Sequence, residues 1–310
     1  MIADTASTTD SHQPRPEAAR LTEADVTEQL RGRPHAFVDV GHAKLAYWKL
    51  GRGPDVVCVH GWPLHAATFR RVAPVLARDF TLHLFDLPGA GQTEWTDASK
   101  ISMADHVATL RAFVDALGLS RFAYLAHDSG GAFARMAAAD DRRVSALVLG
   151  NTEIPGHTPW LVELYAAVAR VPGLRSAFLA SMASRAVRPS FLAFGGCFAD
   201  PTYADGEFFE LFVKPLVVSK RAGRGQLQLA ATLDVSVFDD LATIHRRIDA
   251  PVRLLWGPRD PFFPIEKARA MLTQLPRADL VEIPGAKLFA HEDFAEPFAA
   301  HAREHLLAHA

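Results

Sequence analysis

From residue 36 onward, short and continuously apolar runs alternate with longer stretches whose apolar positions recur at helical spacing. "AFVDV" and "KLAYWKL" read as an entry hairpin. After them come "DVVCVHG" (55–61), a helical "TFRRVAPVLARDF", "TLHLFDLPG" (81–89), a helical "MADHVATLRAFVDALGL", "RFAYLAHD" (121–128), a helical "GGAFARMAAADD" and "VSALVLGNTE" (144–153). Strands joined through helices predict a mostly parallel sheet covered on both faces. The alternation then stops. Residues 155–246 read as helix throughout, studded with Phe178, Phe191, Phe194, Phe198, Phe208, Phe209 and Phe212, and predict an inserted helical layer. The sheet pattern resumes with "PVRLLWGPRD" (251–260), a helical "IEKARAMLTQL", "ADLVEIPG" (278–285) and a last helix from about residue 293.

Composition narrows the class. The 310 residues, 49% hydrophobic and 22% charged, suffice for a substantial core in one large domain or two. Lys plus Arg (33) nearly balance Asp plus Glu (35), and no basic block is interleaved with aromatics, which argues against nucleic acid as a partner. Cys58 and Cys197 offer neither a disulfide framework nor metal-ligand spacing, so a reducing, cytoplasmic setting is expected, and nothing points to a metal or organic cofactor. The first 34 residues are polar and lack the apolar core of a signal peptide. They read as a tail, disordered to about residue 20, and no later run reaches membrane-spanning length.

Chemistry concentrates where strands end. In "LAHDSGG" a strand turns sharply into a helix, with Ala126 and Gly130 two positions either side of Asp128. A residue held at such a turn has a strained backbone, and its second neighbours must be small to avoid collision. Centring the turn on Ser129 would put the bulky His127 at the minus-two position, so the pattern selects Asp128 over a serine nucleophile. At a helix N-terminus its carboxylate meets free backbone N–H groups. The plain alternative is a helix N-cap, a common place for Asp. In "VHGWPLH" (59–65) another strand ends in Gly and Pro, and the Trp62 N–H with that of Ser129 could form a two-donor oxyanion hole. The glycines of "DLPGAGQT" more simply shape a loop.

Together and in this order, these segments resemble the α/β-hydrolase fold in its aspartate-nucleophile branch, that of epoxide hydrolases and haloalkane or haloacid dehalogenases. The resemblance covers about residues 36–310. It implies a core of residues 35–154 and 247–310 with a helical cap at 155–246. His60, Gly61, Trp62 and Pro63 match the oxyanion motif, and Ala126 through Gly131 match the nucleophile elbow. Asp260 in "WGPRDPFFP" sits where the acid after the seventh strand belongs, although Asp before Pro261 is also an ordinary turn residue.

The pattern breaks in "PGAKLFAHEDF" (284–294). Laid on the loop that carries the family histidine, Phe289, Glu292 and Asp293 find counterparts, and the histidine position is Leu288. His291 falls three residues late, where an exposed polar residue in the first turn of the last helix is expected, unless a shifted loop brings it inward. The histidine activates the water that hydrolyses an aspartyl-ester intermediate. Without it, alkylation of Asp128 is retained and hydrolytic turnover is not. His60 and His127 belong to the backbone motifs, where hydrogen-bonding structural roles are expected.

Two more departures bear on substrate. The halide-holding Trp after the nucleophile is Ser129 here, which disfavours dehalogenation. Of the two cap tyrosines that protonate an opening epoxide, Tyr165 could be the first, and no tyrosine follows Tyr203 to supply the second. Trp62 in the oxyanion motif leans toward the epoxide side. The expected enzyme acts through Asp128, Trp62, Ser129 and Asp260 on a bulky hydrophobic small molecule in a roomy pocket, by specialised or non-hydrolytic chemistry such as ring opening, cyclisation, addition or elimination. The alternatives are a catalytically silent ligand-binding homologue, or an ordinary epoxide hydrolase using His291.

Overall fold

The computed structural model describes residues 21–310. The expected disorder of residues 1 to about 20 lies outside the described residues. The rest of the assigned tail is not tail-like. Glu23–Arg31 form helix α1, opened by a reciprocal capping pair between Thr22 and Asp25. Val26 and Leu30, four residues apart, are buried, and Trp48 Nε1 donates to the Gln29 carbonyl at 3.0 Å. The mainly polar composition concealed this narrow apolar stripe.

The strands are β1 (Ala36–Asp39), β2 (Ala43–Gly51), β3 (Asp55–Val59), β4 (Thr81–Phe85), β5 (Glu94–Trp95), β6 (Phe122–Ala126), β7 (Val144–Gly150), β8 (Val252–Trp256) and β9 (Ala278–Glu282). They form one sheet in the order β1-β2-β4-β3-β6-β7-β8-β9, with the short β5 paired to β2. The β1–β2 and β2–β4 pairs are antiparallel, and from β4 to β9 the sheet is parallel. Every residue of β4, β6 and β7 is buried, as expected of strands covered on both faces.

The segment read as helix after residue 66 is broken. It contains a 3₁₀ turn at Ala66–Phe69 and the single-turn α2 (Ala73–Leu76). Helices α3 (Met103–Ala116) and α4 (Ser129–Ala138) follow as expected. Between β7 and β8 lie α5 (Trp160–Arg170), α6 (Pro172–Ala183), α7 (Lys214–Val218), α8 (Lys220–Ala231) and α9 (Val237–His245). This stretch is not helical throughout. Around residues 185–200 it runs in turns, where Pro189, Gly195 and Gly196 interrupt the helical pattern. After β8 come α10 (Ile265–Met271), the short α11 (Ala290–Asp293) and α12 (Ala295–His309). No helix among the described residues is long and apolar enough to cross a membrane.

The insertion is tied to the sheet at loops that matter below. Trp62 Nε1 donates to the Gln226 carbonyl of α8 at 3.0 Å, and the Phe289 N–H to the Cys197 carbonyl at 3.0 Å. Phe198, Phe208 and Phe212 pack among themselves, and Phe198 and Phe208 also pack on Phe289. Packing is thus their role, as it is for most of the inserted phenylalanines.

Gly130 sets the tolerance of the β6–α4 turn, since a Cβ there would lie 2.4 Å from the Val59 carbonyl oxygen. Gly130→Ala should therefore cost about 1–3 kcal/mol through forced backbone displacement. Gly173, in α6 with no atom near its absent Cβ, should be neutral or gain roughly 0.4–1 kcal/mol on the same change. Urea midpoints of the two variants check the contrast.

Candidate active site

The β6–α4 turn places Asp128 at φ 50° and ψ −141°, outside the regions open to most side chains. Its side chain makes no helix-capping bond, so the N-cap reading accounts for its position and not for its carboxylate. The backbone is tied on both sides: the Asp128 N–H donates to the Asn151 carbonyl at 2.7 Å, and the Asp128 carbonyl accepts the Gly131 N–H at 2.7 Å and lies 2.8 Å from Thr152 Oγ1. Asp128 Oδ2 accepts the Trp62 N–H at 3.0 Å, a donor shared with Ser129 Oγ at 3.0 Å. Gly61 makes this approach feasible, because a Cβ there would stand 2.5 Å from Asp128 Oδ2. Asp128, not Ser129, is the strained residue of the elbow.

Asp128 faces a cavity of about 120 Å³ beneath the helical insertion. That is nearer the ~150 Å³ space that admits benzene than the roomy pocket expected. Besides Asp128, the polar side chains on its wall are Ser129, Glu153, Tyr165 and Cys197. Met103, Phe133, Phe194, Phe238, Phe262 and Leu288 contribute to an otherwise apolar lining. Of the seven phenylalanines marked in the insertion, Phe194 alone reaches it. Burial raises the Cys197 thiol well above its ordinary range, leaving it neutral.

Leu288 stands in the cavity wall and His291 does not. His291 is buried rather than exposed, because α11 turns it into the core. Its Nε2 lies 2.6 Å from Thr68 Oγ1, and its ring stacks 3.9 Å from that of His127. Burial pushes it down to about 3, so it is neutral. His60 has the expected structural role: its Nε2 accepts the Leu87 N–H at 3.0 Å. His127 does not, since both its ring nitrogens are buried without a partner and it packs between His291, Phe69 and Phe289. Tyr165 reaches the cavity, but its hydroxyl donates to the Leu192 carbonyl at 2.9 Å. Tyr203 instead joins Arg71 and Glu292 away from the cavity.

Asp260 is buried and does not line the cavity. Its Oδ1 accepts the N–H groups of Phe262 (2.7 Å) and Phe263 (3.2 Å), and its Oδ2 accepts Asn151 Nδ2 at 2.7 Å. These are the contacts of a turn residue tied to the end of β7. Burial still raises it to about 7 against those hydrogen bonds.

The sequence reading missed the polar cluster behind Asp128. Glu153, three residues past β7, is 6% exposed. Arg135 of α4 is fully buried: Nε donates to the Gly131 carbonyl (3.0 Å), and Nη2 donates to Thr152 Oγ1 (2.9 Å) and the Glu153 carbonyl (2.8 Å). Its Nη1 lies 2.9 Å from His245 Nε2. Arginine only donates, so that nitrogen is the bare one, and His245 Nδ1 donates to Gln274 Oε1 at 3.1 Å. Burial and then the neighbouring Glu153 raise Asp128 well above the usual carboxylate range, while the Ser129 and Trp62 N–H groups pull it back. Burial likewise raises Glu153, with Arg135 opposing. A buried Arg in a helix beside an Asp elbow was visible in "DSGGAFAR", although its partners were not.

The chain matches the alpha/beta hydrolase fold family over residues 54–295. It is 32% identical over 270 residues to a pimeloyl-[acyl-carrier protein] methyl ester esterase from Chromobacterium violaceum, covering 81% of this chain and 95% of that protein. It is 26% identical to haloalkane dehalogenase 2 of Mycobacterium bovis, over 85% of this chain and 92% of that one. The solved structure of the epoxide hydrolase CorEH without ligand superposes with a TM-score of 0.73 at 19% identity, over 86% of this chain and 96% of that chain, a likeness of fold.

Asp260 leaves a pH signature. Its folded value of about 7 lies above the ordinary 3.8, so the folded protein binds the extra proton between those values and loses that contribution as pH rises through about 7. Asp260→Asn removes the linkage. The stability of the variant relative to wild type should therefore rise from pH 5 to pH 8, read from paired urea midpoints.

Proposed function

The chain belongs to the α/β-hydrolase fold family, and within it we propose an enzyme that uses Asp128 as a nucleophile toward a compact, apolar, electrophilic small molecule, an epoxide or its like. One observation carries this reading: the strained residue of the elbow is a carboxylate, held by the Trp62 N–H and opening into an apolar cavity. The chain's esterase relative does not shift it toward serine chemistry, because Ser129 is the first residue of α4, past the strained position. Attack by an Asp128 oxygen on an electrophilic carbon would give an ester whose carbonyl oxygen can lie against the Trp62 and Ser129 N–H groups.

Water chemistry on that ester lacks its usual base. Leu288 fills the wall where an imidazole would stand, and His291 is turned toward Thr68. We therefore assign slow hydrolysis and a specialised, non-hydrolytic outcome. The same observation favours one second reading, a ligand-binding homologue that transforms nothing. The helical insertion acts as the cap that closes the cavity and excludes water, which suits small apolar ligands.

Wild-type protein incubated with 1,2-epoxybutane should gain the mass of one ligand by intact-mass spectrometry, with the adduct mapped to Asp128. Asp128→Asn should gain none. Leu288→His should release the adduct as diol roughly a hundredfold faster. An unlabelled wild type with multiple epoxide turnovers, lost in His291→Ala, would instead assign the base role to His291. Because Ser129 offers no ring N–H to a leaving halide, simple haloalkanes and haloacetate should release no measurable halide in a colorimetric assay.

A further inference from the structure

An opening epoxide needs more than a nucleophile. The oxygen that leaves the attacked carbon must gain a proton, and the only tyrosine on the cavity wall, Tyr165, already directs its hydroxyl to the Leu192 carbonyl. Glu153 lies on the same wall. Its neighbour Thr152 links it to the elbow. Thr152 Oγ1 has three partners: Arg135 Nη2 at 2.9 Å, the Asp128 carbonyl oxygen at 2.8 Å and Glu153 Oε2 at 2.8 Å. Arg135 can only donate and the Asp128 carbonyl can only accept. The single hydroxyl hydrogen goes to Glu153 Oε2 or to the Asp128 carbonyl, which also accepts the Gly131 N–H, and in the second arrangement a protonated Glu153 donates to Oγ1.

Glu153 is buried and Asp128 half-buried, an ionised Glu153 disfavours an ionised Asp128, and Arg135 brings one positive charge to the pair. One negative charge is thus balanced. The N–H groups of Trp62 and Ser129 favour that charge on Asp128, Arg135 favours it on Glu153, and the acid role requires the first arrangement.

Resting on the reading of Asp128 as nucleophile, we propose that Glu153 is the acid partner of Asp128, delivering its proton to the oxygen that leaves the attacked carbon. In the step, an Asp128 oxygen bonds to the epoxide carbon as that carbon's bond to the ring oxygen breaks. The Glu153 proton passes to the ring oxygen. The products are a hydroxyalkyl ester on Asp128 and an ionised Glu153 beside Arg135. Nothing is oxidised or reduced, and the charge moves from one member of the pair to the other.

Two probes of equal carbon skeleton separate this role from that of Asp128. Labelling by 1,2-epoxybutane needs a proton at the departing oxygen, whereas labelling by butyl methanesulfonate does not, because methanesulfonate leaves as a stable anion. Glu153→Gln keeps the size and can still donate to Thr152, but cannot hand over a proton. In this variant, epoxide labelling of Asp128, followed by intact mass, should slow roughly a hundredfold or more, while sulfonate labelling should stay within about threefold of wild type. Equal rates with both probes would overturn the proposal and leave Asp128 as nucleophile. Loss of both in a variant that melts like wild type would overturn it too, showing that Glu153 only holds Asp128 in place. If neither probe labels wild type, the reading of Asp128 itself fails.

Discussion

The structure depends on one close approach: a carboxylate carried on a left-handed backbone at the end of β6, with the chain of the β3 loop running directly over it. Asp128 sits at φ 50° where β6 ends and α4 begins across only two residues, His127 and Asp128. Strain of this kind costs about 1–3 kcal/mol and persists only where its surroundings over-determine it. Here they do. Gly61 and Gly130 leave no Cβ between the β3 and β6 turns, and the Asp128 N–H and C=O are both bonded. The result is a carboxylate aimed where a free backbone N–H already points.

The electrostatics follow from that placement. Half-buried beneath the helical insertion, Asp128 has a charge shaped by its near neighbours Glu153, Trp62 and Ser129. Arg135 lies behind the elbow, bonded to Gly131, Thr152 and Glu153, and provides the one cation against which the carboxyl pair is balanced. Its position also locks α4 to the end of β7. A single buried arginine thus organises both the packing of the elbow and the proton inventory of the cavity.

The loop after β9 joins the insertion to the sheet. The Phe289 N–H donates to the Cys197 carbonyl, and its ring packs on Phe198. Leu288 adds an apolar side chain to the cavity wall, and Asp260 is bound to Asn151 and two backbone amides. His291 was deflected by α11, a four-residue helix that rotates it away from the cavity and toward Thr68.

The order of sheet and helix and the elbow were legible in the sequence, because each depends on local physics: strand and helix periodicity and the small residues a tight turn demands. The α1 stripe escaped notice for a local reason as well, since two apolar residues four apart barely register in a polar segment. What only the tertiary structure decided depends on residues far apart in the chain. Arg135, Thr152, Glu153 and His245 meet through the packing of α4 against β7 and α9, and no spacing within one segment encodes that meeting. The burial of His291, the small cavity and the two inserted phenylalanines on its wall, Phe194 and Phe238, were likewise settled by how the insertion folds back on the sheet. Local pattern determines which elements form, whereas proton positions and cavity volume are set by distances between elements that only folding brings together.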